Sequence, residues 1–156
     1  MRILLIDQKL LDETSQKAAK NVRLRMNYNI HSCLEDPVNR MLNALEPGSY
    51  FRPHRHLSPP KAELSIVLRG ELDVLIFDND GDLLQRITLN PEIGNYGIDI
   101  SSGIWHSLIV KKTGTVVYEV KEGPFSPIMP EDFASWGPDP NDEAGIKTFF
   151  EQYSLV

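Results

Sequence analysis

The chain has 156 residues, of which 41% are hydrophobic, the size and apolar content of one ordinary domain with its own core. A formal charge of -6, a pI near 5.2 and the lack of any Lys/Arg run argue against nucleic acid as the main partner, because phosphate binding needs a basic field. Cys33 stands alone, so no intrachain disulfide can form, and the cytoplasm is the expected location.

In chain order, residues 2–6 read as a short strand. The apolar run from Ile3 stops at Asp7, too soon for a secretory h-region or a membrane span. Asp7 is a suitable N-cap for a helix over 8–20, with Leu10, Leu11, Thr14 and Ala18 on one face. From Val22 the pattern turns to strict alternation: Val22, Leu24, Met26, Tyr28 and Ile30 on one side, Arg23, Arg25, Asn27, Asn29 and His31 on the other. Cys33 precedes the turn-like Glu35-Asp36-Pro37 and is expected to be a small thiol apart from any site.

Strands are expected at 41–45, 50–57, 63–69, 71–78, 83–89, 96–100, 105–111 and 116–121. Short strands with turn punctuation imply an all-β sandwich or barrel. Asp80-Gly81 is the best hairpin turn, of type I′, and Thr113-Gly114 resembles it. Beyond Gly123 the composition shifts to proline and acid. Phe125, Phe133 and Trp136 anchor an arm over the barrel, and a last helix over 140–153 would turn Ala144, Phe149 and Tyr153 inward. The organisation is then 1–40 N-terminal helix and extended segment, 41–122 barrel core and 123–156 C-terminal arm, all one domain.

Only four histidines occur, and three of them fall into one pattern: His54 and His56 one residue apart, Glu63 at the head of the next strand, and His106 at the start of another. Residues two apart on a strand share a face, so His-x-His can close on a single ion. A hairpin would bring Glu63 beside the pair, and a sheet that curls back on itself would bring His106. His31 is expected to be structural. Three imidazoles and a carboxylate suit one divalent transition metal (Zn, Fe, Mn or Ni) better than Ca²⁺ or Mg²⁺.

The stretch Gly48-Ser-Tyr-Phe-Arg-Pro-His54-Arg-His56, with Glu63 and Gly70 after it, resembles the first cupin motif, and Gly103-Ile-Trp-His106 the core of the second. Six residues separate His56 from Glu63 where that motif has three or four, Ser101 stands at the second motif's Pro position, and Val110 at its Asn position. Arg23-Leu-Arg-Met-Asn-Tyr-Asn29, Met41-Leu-Asn-Ala-Leu-Glu-Pro-Gly48, Arg52-Pro-His-Arg-His56 and Tyr118-Glu-Val-Lys-Glu-Gly-Pro124 resemble blocks of the WbuC family of cupin-fold metalloproteins. That resemblance implies an antiparallel jelly-roll barrel, His54, His56, Glu63 and His106 as metal ligands, and a place in bacterial surface-polysaccharide (O-antigen) metabolism.

Such a centre keeps a net positive charge and favours a small anionic or sugar-like ligand. By strand parity Arg52 faces that ligand or pairs with Glu46, while Arg55 points the other way. Tyr118 and Lys61 are the candidate proton-handling groups. The functions open to this set are a metal-dependent isomerase, epimerase or oxygenase, a non-catalytic binding module, and a metal-free epimerase-type cupin with a histidine base. Leu64, Ile66 and Leu68 form an outward apolar face, to be covered by the N-terminal segment or by a second subunit in a homodimer.

Overall fold

The computed structural model describes residues 3–154. Helix α1, Gln8–Ala19, starts where Asp7 accepts a hydrogen bond from Leu10 N at 2.9 Å. Eight strands follow: β1 Arg25–Asn29, β2 Val38–Leu45, β3 Glu63–Arg69, β4 Leu72–Phe77, β5 Leu83–Leu89, β6 Gly97–Ile100, β7 Trp105–Val110 and β8 Thr115–Glu122, before helix α2, Glu143–Ser154. They form a five-stranded sheet ordered β1-β2-β8-β3-β6 and a three-stranded sheet ordered β5-β4-β7, every pairing antiparallel. No helix among the described residues is long and apolar enough to cross a membrane.

Between the sheets lies a core of Leu45, Val67, Leu72, Val74, Leu89, Ile100, Val110 and Val117. Each sheet also carries a helix on its back. Leu11 and Ala18 of α1 pack on Leu42, Ala44 and Val116 of the large sheet, while Phe149 and Tyr153 of α2 pack on Leu75, Phe77, Trp105 and Ile109 of the small one. With both outer faces partly dry, strand alternation alone does not tell inside from outside.

Several expectations give way. Residues 3–6 form no strand, Met1 and Arg2 lie outside the described residues, and the first ladder begins at Arg25 because Leu24 takes a left-handed φ of 55°. Segment 50–57 makes isolated bridges only, since Pro53 lacks a donor within it and Pro59 and Pro60 follow. The β4–β5 turn has its positive φ at Gly81 but not at Asp80, which excludes type I′; the Asp78 carboxylate holds it by accepting from Asp80 N and Asp82 N. In α2 Phe149 and Tyr153 are buried but Ala144 is exposed, and Phe125 in the arm is exposed too.

Candidate metal centre

The run from His54 to His56 is fixed from both sides. His54 N donates to His106 O at 3.0 Å and His106 N to His54 O at 2.8 Å, a two-bond bridge to the start of β7. From the arm, Asp132 accepts from Arg55 Nε (3.0 Å), Ser58 N (2.8 Å) and Leu57 N (3.3 Å), and Arg55 lies over the Trp105 ring at 4.4 Å. Arg55 is thereby held against the arm, and the imidazoles on either side of it line the cavity. Ser102 Oγ donates to His56 O at 2.8 Å and holds the far end of the run.

The imidazoles of His54, His56 and His106 offer ring nitrogens that all lie within 4.8 Å of one another. His54 Nδ1 is 3.0 Å from Arg52 O and His106 Nδ1 is 2.9 Å from Ile104 O. A carbonyl only accepts, so each Nδ1 carries the proton and each Nε2 presents a lone pair. Burial, with repulsion from His106, holds the His54 pKa well below its ordinary value, and burial lowers His106 as well, so both rings stay neutral. The Nε2 of His106 is buried and lacks a hydrogen-bond partner among the described residues, while the buried Nε2 of His56 faces the Glu63 carboxylate 3.1 Å away. Convergent imidazole nitrogens of this kind are the donor set a divalent transition ion takes.

Glu63 lies next to this trio but is not brought to it by a hairpin, since β3 pairs with β6 and β8 rather than with 50–57. Its Oε2 sits 2.7 Å from Lys121 Nζ and 3.1 Å from His56 Nε2. Burial would raise this carboxyl, but Lys121, His56 and His106 hold it well below the ordinary range. Lys121 also reaches Glu119 Oε1 at 3.1 Å, and Glu119 accepts from Asn43 Nδ2. Burial opposes the Lys121 charge, yet the two carboxylates keep its pKa above the usual lysine value; burial, then Glu63, pushes Glu119 up to about 7.

These groups line a cavity of about 720 Å³ that Arg25, Asn27 and Asn43 line as well. Lys61 is also in the lining, its Nζ donating to Pro124 O and its pKa lowered by burial and then by Lys121. Arg52 is not in the lining: its guanidinium donates to Ala134 O at 3.1 Å and lies 3.6 Å from Asp139, because segment 50–57 runs along the arm instead of within a sheet. Glu46, its other expected partner, accepts from Gly114 N at 3.2 Å instead. Tyr118 packs at the edge of the α1 cluster, on the face of β8 away from the cavity.

Asn43, Glu119 and Lys121 were missed because the cavity side of β8 is the polar side. Val116 and Tyr118 pack outward with α1 while Glu119 and Lys121 face in, which inverts the usual reading of an amphipathic strand. The polar alternation of 23–29 was the available signal, since Arg23, Arg25, Asn27 and Asn29 all line the same cavity.

Residues 6–89 match the family described as Domain of unknown function (DUF6016). The chain belongs to that family. No curated protein matches it in sequence. Among solved structures, this DUF6016 chain is similar to a cupin 2 domain-containing protein from Halorhodospira halophila, at 14% identity over 85% of this chain and 82% of that one, with a TM-score of 0.54. A conserved Streptococcus pyogenes protein of unknown function is similar at 12% identity over 81% of this chain and 92% of that one, TM-score 0.53. Oxalate decarboxylase from Bacillus subtilis, which has Mn(II) centres, is similar at 20% identity over 65% of this chain, TM-score 0.50; this chain spans only 26% of its length. The DUF6016 chain therefore has the cupin fold.

Proposed function

We propose that this protein binds one divalent transition metal through His54, His56 and His106 and presents it to a small anionic or sugar-like molecule in the adjoining cavity. One observation carries the reading: three imidazole nitrogens converge beside the cavity, and His54 and His106 have Nδ1 tied to a carbonyl so that each Nε2 presents a lone pair, the one on His106 with no partner among the described residues. Zinc, iron, manganese and nickel all accept such donors, and manganese is the metal of one fold neighbour.

When bound, the ion supplies Lewis-acid polarisation of a ligand oxygen. The chain supplies the surroundings. Arg25, Asn27 and Asn43 offer donors to hydroxyl or carboxylate oxygens, and Lys61 and Glu119 are the groups placed to hold or move a proton. Tyr118 is too far round the strand for that role. The motif blocks quoted above favour WbuC-type kinship and with it a ligand from surface-polysaccharide chemistry.

Elemental analysis of the purified protein should find close to one transition metal per chain, and His56→Ala should lose it. A folded, metal-free wild type, or full retention by that variant, would overturn the proposal. Turnover of nucleotide sugars or keto acids by the metal-loaded protein then separates an enzyme from a binding module.

A further inference from the structure

The ion's charge environment depends on which groups share it, and Glu63 is the group in question. Ligand atoms around one divalent ion sit about 2.0–2.2 Å from it, so any two lie within roughly 4 Å of each other. The three histidine nitrogens approach that spacing as a group; Glu63 Oε2 lies 3.1 Å from His56 Nε2, yet the carboxylate is not among the atoms that all lie within 4.8 Å of one another. Its place is set elsewhere: in the β3–β8 ladder Glu63 stands directly opposite Lys121, and Ser65 opposite Glu119. Cross-strand partners point the same way from a common face. The 2.7 Å ion pair between Glu63 and Lys121 is thus built by strand register, not by a loop that could swing.

The longer spacer after His56 serves the same end. Leu57 bridges to Pro60, so the extra residues close a turn and let β3 take its register from β8 independently of the histidine run. Should Glu63 leave Lys121 for the ion, the buried ammonium would keep only Glu119, which already shares Asn43. It would also face a dipositive charge a few ångströms away without an intervening anion.

Resting on the metal reading above, we infer that the ion is held by three histidines alone and that Lys121, paired with Glu63 across the ladder, keeps that carboxylate out of the coordination sphere. Lys121 is a positioning residue. The consequence for ligand class is direct: with the Glu63 charge cancelled, the ion offers its full dipositive charge and an additional open position to a small chelating anion.

Cobalt(II) titration of the metal-free full chain, followed by its visible absorption, tests this without any assay of activity. Glu63→Gln should weaken binding by less than about tenfold and leave the spectrum unchanged, whereas His106→Ala should weaken it by more than about 100-fold. Lys121→Met should tighten binding by about tenfold or more and shift the spectrum as the freed carboxylate joins the ion. The double variant E63Q/K121M should return to the behaviour of Glu63→Gln. A loss in Glu63→Gln as large as that in His106→Ala overturns the inference, and so does a Lys121→Met protein that matches wild type in both readouts. If Lys121→Met does not fold, the comparison of Glu63→Gln with His106→Ala decides alone. A wild type that takes up no cobalt removes the metal reading itself, which is a different result.

Discussion

Asp132 is the residue on which the geometry of the centre turns, although it touches no imidazole. It is 1% exposed and receives Arg55 Nε and the backbone N–H groups of Leu57 and Ser58, while its own carbonyl accepts from Arg55 N. Burial would raise its carboxyl, but Arg55 and the two backbone donors carry it below the model-peptide value of 3.8. A carboxyl depressed in the folded state stabilises fully above its unfolded pKa and loses that contribution as pH falls through the folded value. Asp132→Asn keeps the size and loses the charge, so metal-free protein should be less stable by about 2 kcal/mol at pH 7. Denaturant melts should show that gap closing as the pH drops below 3.8; a constant gap would assign the loss to packing. At this scale the sequence made the histidines legible because their residue type and spacing carry their chemistry. Asp132 was not, because its partners lie 74 to 77 positions away. Tyr118 was misplaced for a different reason: its apolar neighbours Val116 and Val120 suggested an interior face, when the interior of this strand is the wet one.

The elements that could be read from the sequence are those that turn or capping residues punctuate, even where a bulge interrupts the ladder, as between Val67 and Arg69 in β3. Residues 63–69 and 83–89 were expected at the bounds of β3 and β5, and Asp7 at the cap of α1. Segment 50–57 was not, because proline removes the ladder donors and the backbone finds its partners in β7 and the arm. The turn from β3 to β4, where the chain leaves one sheet for the other, depends on Gly70 at φ 90°; a Cβ there would lie 2.7 Å from the Thr115 Cα on the neighbouring strand. Backbone cannot retreat as a flexible side chain can. Gly70→Ala should therefore lower stability by about 2 kcal/mol or more, from a left-handed alanine plus the displaced strand. Chemical denaturation measures it, and a loss under half that size would mean that the turn relaxes freely.

At the scale of the whole molecule, the two helices do not finish the job of covering the sheets. α1 lies on β1, β2 and β8, so β3 keeps an outward row in which Leu64 and Leu68 are 37% and 38% exposed. The row was expected to be covered by the N-terminal segment or by a second copy, and the first of these meets β3 at its end, where Arg69 donates to Asp12 and Ser15, and leaves Leu64 and Leu68 partly exposed. Beside it β6 is a four-residue strand at the edge of the sheet, too short to shield the row from that side. A homodimer through this face is the remaining expectation, and an isologous contact would set each Leu64–Leu68 row against its symmetry mate. Sedimentation of the purified chain should give twice the 17.7 kDa of the monomer. Leu64→Lys with Leu68→Glu should return it to the monomer while leaving metal content unchanged, because those side chains point away from the cavity that Glu63 and Ser65 line. A wild type that sediments as a monomer, or a double variant that stays dimeric, would place the assembly surface elsewhere. A variant that loses metal as it dissociates would show instead that the centre depends on the dimer.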